Sequence, residues 1–324
     1  MVQLFLIGIS AGAATALLFA SVASGSPLSV LLFYLAPLPI LIAALGWSHW
    51  AALIAAVVAS ASLAAAFGSF FFISFLLGVG LPAWWLGYLA LLGRPLPNGS
   101  PDKLEWYPVG HLVYWAALLG GLIVIAAMLN FGTDEESFRA SLRSALERTF
   151  HVQEAAPSSP GAPAPRLREP TRLIDFLVAA LPPAAAVLTT ITNVVNLWLA
   201  ARIVKVSGRM RRPPPDLSAM QFPGYTPALT AVAIAGSFLP DMIGIAAGVL
   251  AASMLMAYAI LGFAVLHDIT RGMNSRPLAL GGIYVAVVVF GWPVLIMTLL
   301  GLADAVFDLR GRVARKGGPP QSGT

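Results

Sequence analysis

From Met1 to Gly93 the chain carries no Asp, Glu, Lys or Arg. A water-facing surface cannot be built from that stretch, because packing it all into one core would leave nothing to be solvated. Lipid is therefore the solvent it fits. The remaining sequence agrees: across 324 residues, 58% are apolar and 10% charged, against about 25% charged in a soluble globular chain. One or two soluble domains are excluded. The expected fold is an all-α polytopic transmembrane helix bundle.

A transmembrane helix needs about 20 mainly apolar residues to cross about 30 Å of hydrocarbon. By that measure residues 2–22, 28–45, 51–67, 70–92, 109–129 and 173–201 are spans. The first resembles a signal peptide at Ser21-Val22-Ala23. It lacks a basic start, and a second apolar span follows at once, so an uncleaved helix is expected. Residues 226–266 are too long for one crossing and are divided at Leu239-Pro240-Asp241. They predict a half-helix or re-entrant element at 227–238 and a full span at 242–266. Residues 277–302 make the eighth span, with nine full spans as the alternative. Residues 1–130 thus form a charge-poor bundle of five spans, and 173–303 a bundle of three with a broken helix.

Between them, residues 131–172 are of another kind. Thr133 and Glu136 have capping-box spacing. Phe138, Leu142, Leu146 and Phe150 then recur every four residues among Arg139, Arg143 and Arg148, predicting an amphipathic helix on the membrane surface or against the bundle. Residues 155–170, rich in Pro and Ala, read as a flexible linker.

The net charge of +5 is an orientation signal rather than a nucleic-acid footprint. Arg202, Lys205, Arg209, Arg211 and Arg212 follow the sixth span, and Arg310, Arg312, Arg315 and Lys316 stand in a basic tail at 304–324 expected to be disordered. Positive loops face the cytoplasm. Both termini are therefore expected on the cytoplasmic side of the cell (inner) membrane.

Candidate chemistry is sparse. The absence of cysteine excludes disulfides and thiolate metal sites. His49, His111, His151 and His267 have no metal-ligand spacing, so no metal, cofactor or enzymatic activity is expected. Gly8-Ile9-Ser10-Ala11-Gly12 matches a nucleophile pattern, but a helix interior lacks the required elbow. Gly8, Gly12, Ala16 and Ala20 instead share a face suited to close helix packing, within this chain or with a partner. Gly244 and Gly248 form a second such pair. Trp84-Trp85, Trp106-Tyr107 and Tyr114-Trp115 read as interfacial anchors. In the sixth span Thr189, Asn193 and Asn196 lie on one face beside Thr192, after a start loosened by Pro182-Pro183. Amides at membrane depth bond a neighbouring helix or face a wet cavity. Asp241, after the broken helix, either caps the following helix or faces a substrate. Thr189, Asn193, Asn196 and Asp241 are therefore the candidate substrate-binding residues.

The late run Gly262-Phe263-Ala264-Val265-Leu266-His267, followed by Thr270-Arg271-Gly272, resembles the YybS-like integral membrane family, itself distantly similar to substrate-binding membrane subunits of energy-coupling-factor transporters. That resemblance implies a small-molecule-binding, transport-related subunit, with Gly8, Gly12, Ala16 and Ala20 facing a membrane coupling subunit. The alternative is a membrane scaffold or assembly factor that binds other membrane proteins. The long connection at 130–172 departs from a compact version of the pattern.

Overall fold

The computed structural model describes residues 2–95, 104–154, 170–213, 216–217 and 220–316. The Pro/Ala-rich linker expected at 155–170 falls almost wholly outside the described residues, as does the end of the tail. Seven helical segments among the described residues are long and apolar enough to cross a membrane.

The first is α1 (Val2–Ala20). It runs parallel to α4 (His49–Phe67), whose inner face is almost wholly alanine and serine. A Cβ on Gly8 would come within 2.6 Å of Ile54, and one on Gly12 within 2.7 Å of the Ala55 carbonyl oxygen. Small residues on both sides bring the two backbones together, which is how helices gain packing energy in lipid. Ala16 continues the contact into a cluster with Ala59, Leu63 and Phe75, and Ala20 packs at its margin.

Proline divides the second and fourth spans. α2 (Pro27–Tyr34) and α3 (Leu38–Gly46) are separated by a turn containing Pro37. α5 (Phe70–Phe75) meets α6 (Leu81–Ala90) through a π-helical stretch, Leu76–Gly80, just before Pro82. A proline lacks the amide that the carbonyl four residues earlier needs and crowds it, so the helix loosens there. Beyond α6, two short antiparallel strands follow, β1 (Gly93–Pro95) and β2 (Leu104–Trp106), with Arg94 opposite Glu105.

α7 (Val109–Met128) is held between two neighbours by adjacent glycines. Gly120 lies against Ala186 and Thr190 of α9 (Pro170–Val206), and Gly121 against Leu250 and Ser253 of α11 (Asp241–Ile269). Asn193 of α9 lies farther back along α7, at Ala116, and Tyr114 and Val124 cluster with Tyr258 and Val249 of α11 respectively, so α7 is antiparallel to both. The end of α7 and the starts of α9 and α11 therefore share one end of the bundle. α8 (Glu135–Glu154) packs there through buried Phe138 and half-buried Leu142. Its cap differs from the expected one. Asp134, not Thr133, accepts from the Ser137 amide at 2.9 Å, because the helix starts one residue later than the motif suggests. The opposite end collects positive charge: buried Arg212 donates to the Ala90 carbonyl at the end of α6, and Arg209 lies over Trp47.

α10 (Thr226–Gly236) is the expected short element; at 11 residues it does not support two full crossings of 226–266. The eighth span, expected as one helix over 277–302, is broken at Gly291, whose φ is +72°. It forms α12 (Arg276–Phe290) and α13 (Pro293–Phe307), each too short to cross alone. α13 lies antiparallel on α11, with Gly262 facing Met297 and Gly301 facing Tyr258. No residue of α12 is buried. The tail expected to be disordered over 304–324 is instead largely helical as far as residue 316, as the last turn of α13 and then α14 (Leu309–Lys316), because Arg310 is anchored on Asp304.

Candidate functional site

A cavity of about 320 Å³ opens between α8, the first half of α9 and the junction of α10 with α11. Its position follows from backbone irregularity. α9 carries Pro182 and Pro183 in its interior, so the carbonyls of Val178 and Ala179 lose the amide donors that a regular helix would give them. Val178, Ala179 and Pro183 all line the cavity. On the other side, the chain leaves α10 at Ser237 and re-enters helix at Asp241, whose φ is +64°. Side-chain-bearing residues other than Asn and Asp seldom adopt that conformation. A Cβ on Gly244 would overlap the Leu239 carbonyl oxygen, so the tight return requires glycine there. A Cβ on Gly248 would meet only Ser237, at 3.7 Å, and this leaves open space.

The cavity is amphipathic. Phe138, Val178, Pro183, Leu239 and Ile245 supply an apolar wall. Among the described residues, three ionisable side chains line it: Glu135, Arg139 and Asp241. Arg139 Nε donates to Glu135 Oε1 at 2.7 Å, so those two offset each other. Asp241 is exposed, and no hydrogen bond or ion pair engages its carboxylate among the described residues. One residue before Glu135, two hydrogen bonds from Ser137 hold the Asp134 carboxyl below its ordinary range.

Of the four candidate substrate-binding residues, only Asp241 lines this cavity. Asn193 lies ten residues beyond Pro183 on α9, about 15 Å along the axis. It is buried and its Nδ2 donates to the Ala116 carbonyl of α7 at 3.3 Å. Asn196 Nδ2 donates to the Tyr34 carbonyl at 2.8 Å and to Thr192 within α9. The Tyr34 bond has a clear cause. The break before α3 turns the Leu38 amide to Leu35 instead, leaving Tyr34 without its helical donor, and Asn196 supplies one across the bundle. Thr189 is half-buried and its hydroxyl returns to the Ala185 carbonyl. The amide stripe thus joins α9 to α7 and to the α2–α3 break.

The other candidates have equally local roles. Gly8 and Gly12 are occupied by α4, and Ser10 is exposed with its hydroxyl on the Leu6 carbonyl. Gly244 and Gly248 serve the cavity rather than a helix–helix seam. His267 Nε2 lies 2.8 Å from the Tyr284 hydroxyl of α12. Among the described residues, no three of His, Asp and Glu gather closely enough to hold a metal ion. Trp85 packs edge-on to Trp115, whose indole N–H donates to the Tyr107 hydroxyl at 3.1 Å. These aromatics therefore lock α6 to α7. Glu135, Arg139 and Ser237 carry no binding-site signal in the sequence, since each sits in a segment whose pattern shows only an amphipathic helix, its cap or a helix end.

A helical bundle with seven helices, among the described residues, long and apolar enough to cross a membrane, and an amphipathic hollow at one end, defines a polytopic integral membrane protein. The chain belongs to the family described as predicted membrane protein (DUF2232), whose model matches residues 13–305. No curated protein and no solved structure matches it.

Proposed function

We propose that the protein is a small-molecule-binding, transport-related membrane subunit, and that its binding site is the cavity beneath α8. The observation that carries this reading is the coincidence of two helix breaks around one hollow. Pro182-Pro183 loosens α9 and Pro240-Asp241 divides α10 from α11, both facing the same space. Irregular backbone at a membrane protein's helix ends is a recurrent way to present carbonyls and amides to a ligand. The volume falls at the lower end of the range of about 300–1,000 Å³ usual for ligand pockets. Thr189, Asn193 and Asn196 lie outside this site, which narrows the candidate set to Asp241 and the residues around it.

The orientation is part of the proposal. With the arginine-rich end of the bundle in the cytoplasm, α1 starts on that side of the cell (inner) membrane, and the cavity opens on the opposite face. That suits a component that receives its ligand from outside. The resemblance of the Gly262–His267 run to the YybS-like family, and through it distantly to substrate-binding subunits of energy-coupling-factor transporters, is in keeping with that class. On this reading the protein performs no catalysis and needs no cofactor. A partner subunit would have to dock elsewhere than on Gly8 and Gly12, which α4 covers.

Native mass spectrometry of the detergent-purified chain tests the reading. A small molecule retained by the natural protein and lost from Gly248→Leu, which fills the cavity, supports it. Retention unchanged in Gly248→Leu sinks it. One observation favours the scaffold alternative: α12 has no buried residue, and nothing lies within 4 Å of a Cβ placed on Gly281 or Gly282. Recovery of a stoichiometric protein partner that is lost from Gly281→Leu, with no small molecule bound, would decide for it.

A further inference from the structure

The geometry points to an organic monocation with an apolar body as the ligand of this cavity, its positive centre held by Asp241. The inference rests on the cavity being the binding site, and it adds the ligand's chemical class. Three observations converge on it. Among the described residues the lining side chains Glu135, Arg139 and Asp241 carry one net negative charge, and the Glu135–Arg139 pair is already satisfied at 2.7 Å. The carboxylate of Asp241 has no partner among the described residues. The backbone of α9 adds acceptors rather than donors, since prolines at 182 and 183 release the carbonyls of Val178 and Ala179.

Opposing this are the amino ends of α8 and α11, each worth about half a positive charge. Both already carry an acid in their first turn, Glu135 and Asp241. An anion entering the cavity would face the Asp241 carboxylate directly. A cation would pair with it while its carbon skeleton lay against Phe138, Val178 and Pro183. A simple inorganic cation fits less well, because its hydration shell gains nothing from that apolar wall.

The test uses the full chain in detergent and three probes of similar size: benzyltrimethylammonium, benzenesulfonate and the neutral N,N-dimethylbenzamide. Binding is followed by calorimetry and by saturation-transfer nuclear magnetic resonance. Benzyltrimethylammonium should bind saturably and outcompete the other two, and Asp241→Asn should weaken it at least tenfold. Asp241→Gly, which suits the positive φ, serves if the Asn variant is not monodisperse. Equal binding of the neutral probe or preference for the sulfonate overturns the cationic assignment, as does unchanged affinity in the Asp241 variants. In those cases loss of all binding in Gly248→Leu still upholds the cavity as the site. If no probe binds and native mass spectrometry finds no retained molecule, both readings fall.

Discussion

Arg310 of α14 and Asp304 of α13 are bound face to face in a nearly closed site: Arg310 Nη2 lies 2.7 Å and Nε 3.0 Å from Asp304 Oδ2. The Arg310 amide takes Oδ1, and the guanidinium also donates to the Met220 carbonyl at 2.7 Å. The Arg310 side chain is only 11% exposed and that of Asp304 only 4%. This pair ties the carboxyl end of the chain to the segment that precedes α10. Removing one partner of such a pair strands a buried charge, at a cost of about 3–5 kcal/mol. Arg310→Ala should therefore lower the thermal unfolding temperature sharply in detergent. The double replacement Asp304→Leu with Arg310→Met should recover most of it, whereas the exposed neighbour Arg312→Ala should leave it unchanged. A native-like melt for Arg310→Ala would show that the pair contributes little.

The amide stripe of α9 leads to a second expectation. Interhelical hydrogen bonds in membranes contribute on average about 0.6 kcal/mol, with the strongest near 1.7. Asn196→Ala should sit toward the upper value, since it removes the donor for the Tyr34 carbonyl at 2.8 Å. Asn193→Ala should cost less, its bond to Ala116 being 3.3 Å. Neither should alter affinity for benzyltrimethylammonium. Loss of binding in Asn193→Ala with an unchanged melt would return the stripe to the ligand's path.

The contrast between these residues shows what was legible in the sequence. Burial in lipid demands long apolar runs, so the helical class, the first six spans and the short element before Asp241 can be read from composition and length alone. The break at Gly291 cannot. A single glycine inside an apolar run is compatible with a continuous helix, and only the packing of Gly262 on Met297 and Gly301 on Tyr258 draws α13 onto α11. The site was half legible. Asp241 stands out as an acid beside a helix-breaking proline. Glu135 and Arg139 read as an ordinary helix start, and nothing local reveals that α8 folds over α9 and α11. Asn196 is misleading for a physical reason, because its partner, the Tyr34 carbonyl 162 positions away, is left open by the break before α3 and is invisible to periodicity.

Gly262 offers a sharp packing test. A Cβ there would overlap the Met297 carbonyl oxygen, which belongs to a helix backbone and cannot swing aside. Gly262→Ala should force α11 and α13 apart and cost about 1–3 kcal/mol. Gly281→Ala in α12 is the matched control, with nothing within 4 Å of the added methyl. It should leave stability unchanged or raise it by up to about 1 kcal/mol through helix propensity. Equal melting temperatures for the two variants would contradict the close approach of α11 and α13.

The cap of α8 should show itself through pH. Asp134 accepts from the Ser137 amide and from its hydroxyl, and these bonds hold its carboxyl below the ordinary carboxylate range. A group depressed in the folded state contributes stability that is complete above its unfolded value and is lost as pH falls through the folded one. Hydrogen-exchange protection of the Ser137 amide should therefore be level from neutral pH down to about 4, the ordinary carboxylate value, and decline below it. Asp134→Asn keeps an acceptor without a titrating proton, so its protection should lack that acid decline. Asp134→Ala should lose protection at every pH. If Asp134→Asn declines as the natural protein does, the fraying comes from another carboxylate; Glu135, paired with Arg139 one residue along, is then the group to substitute next.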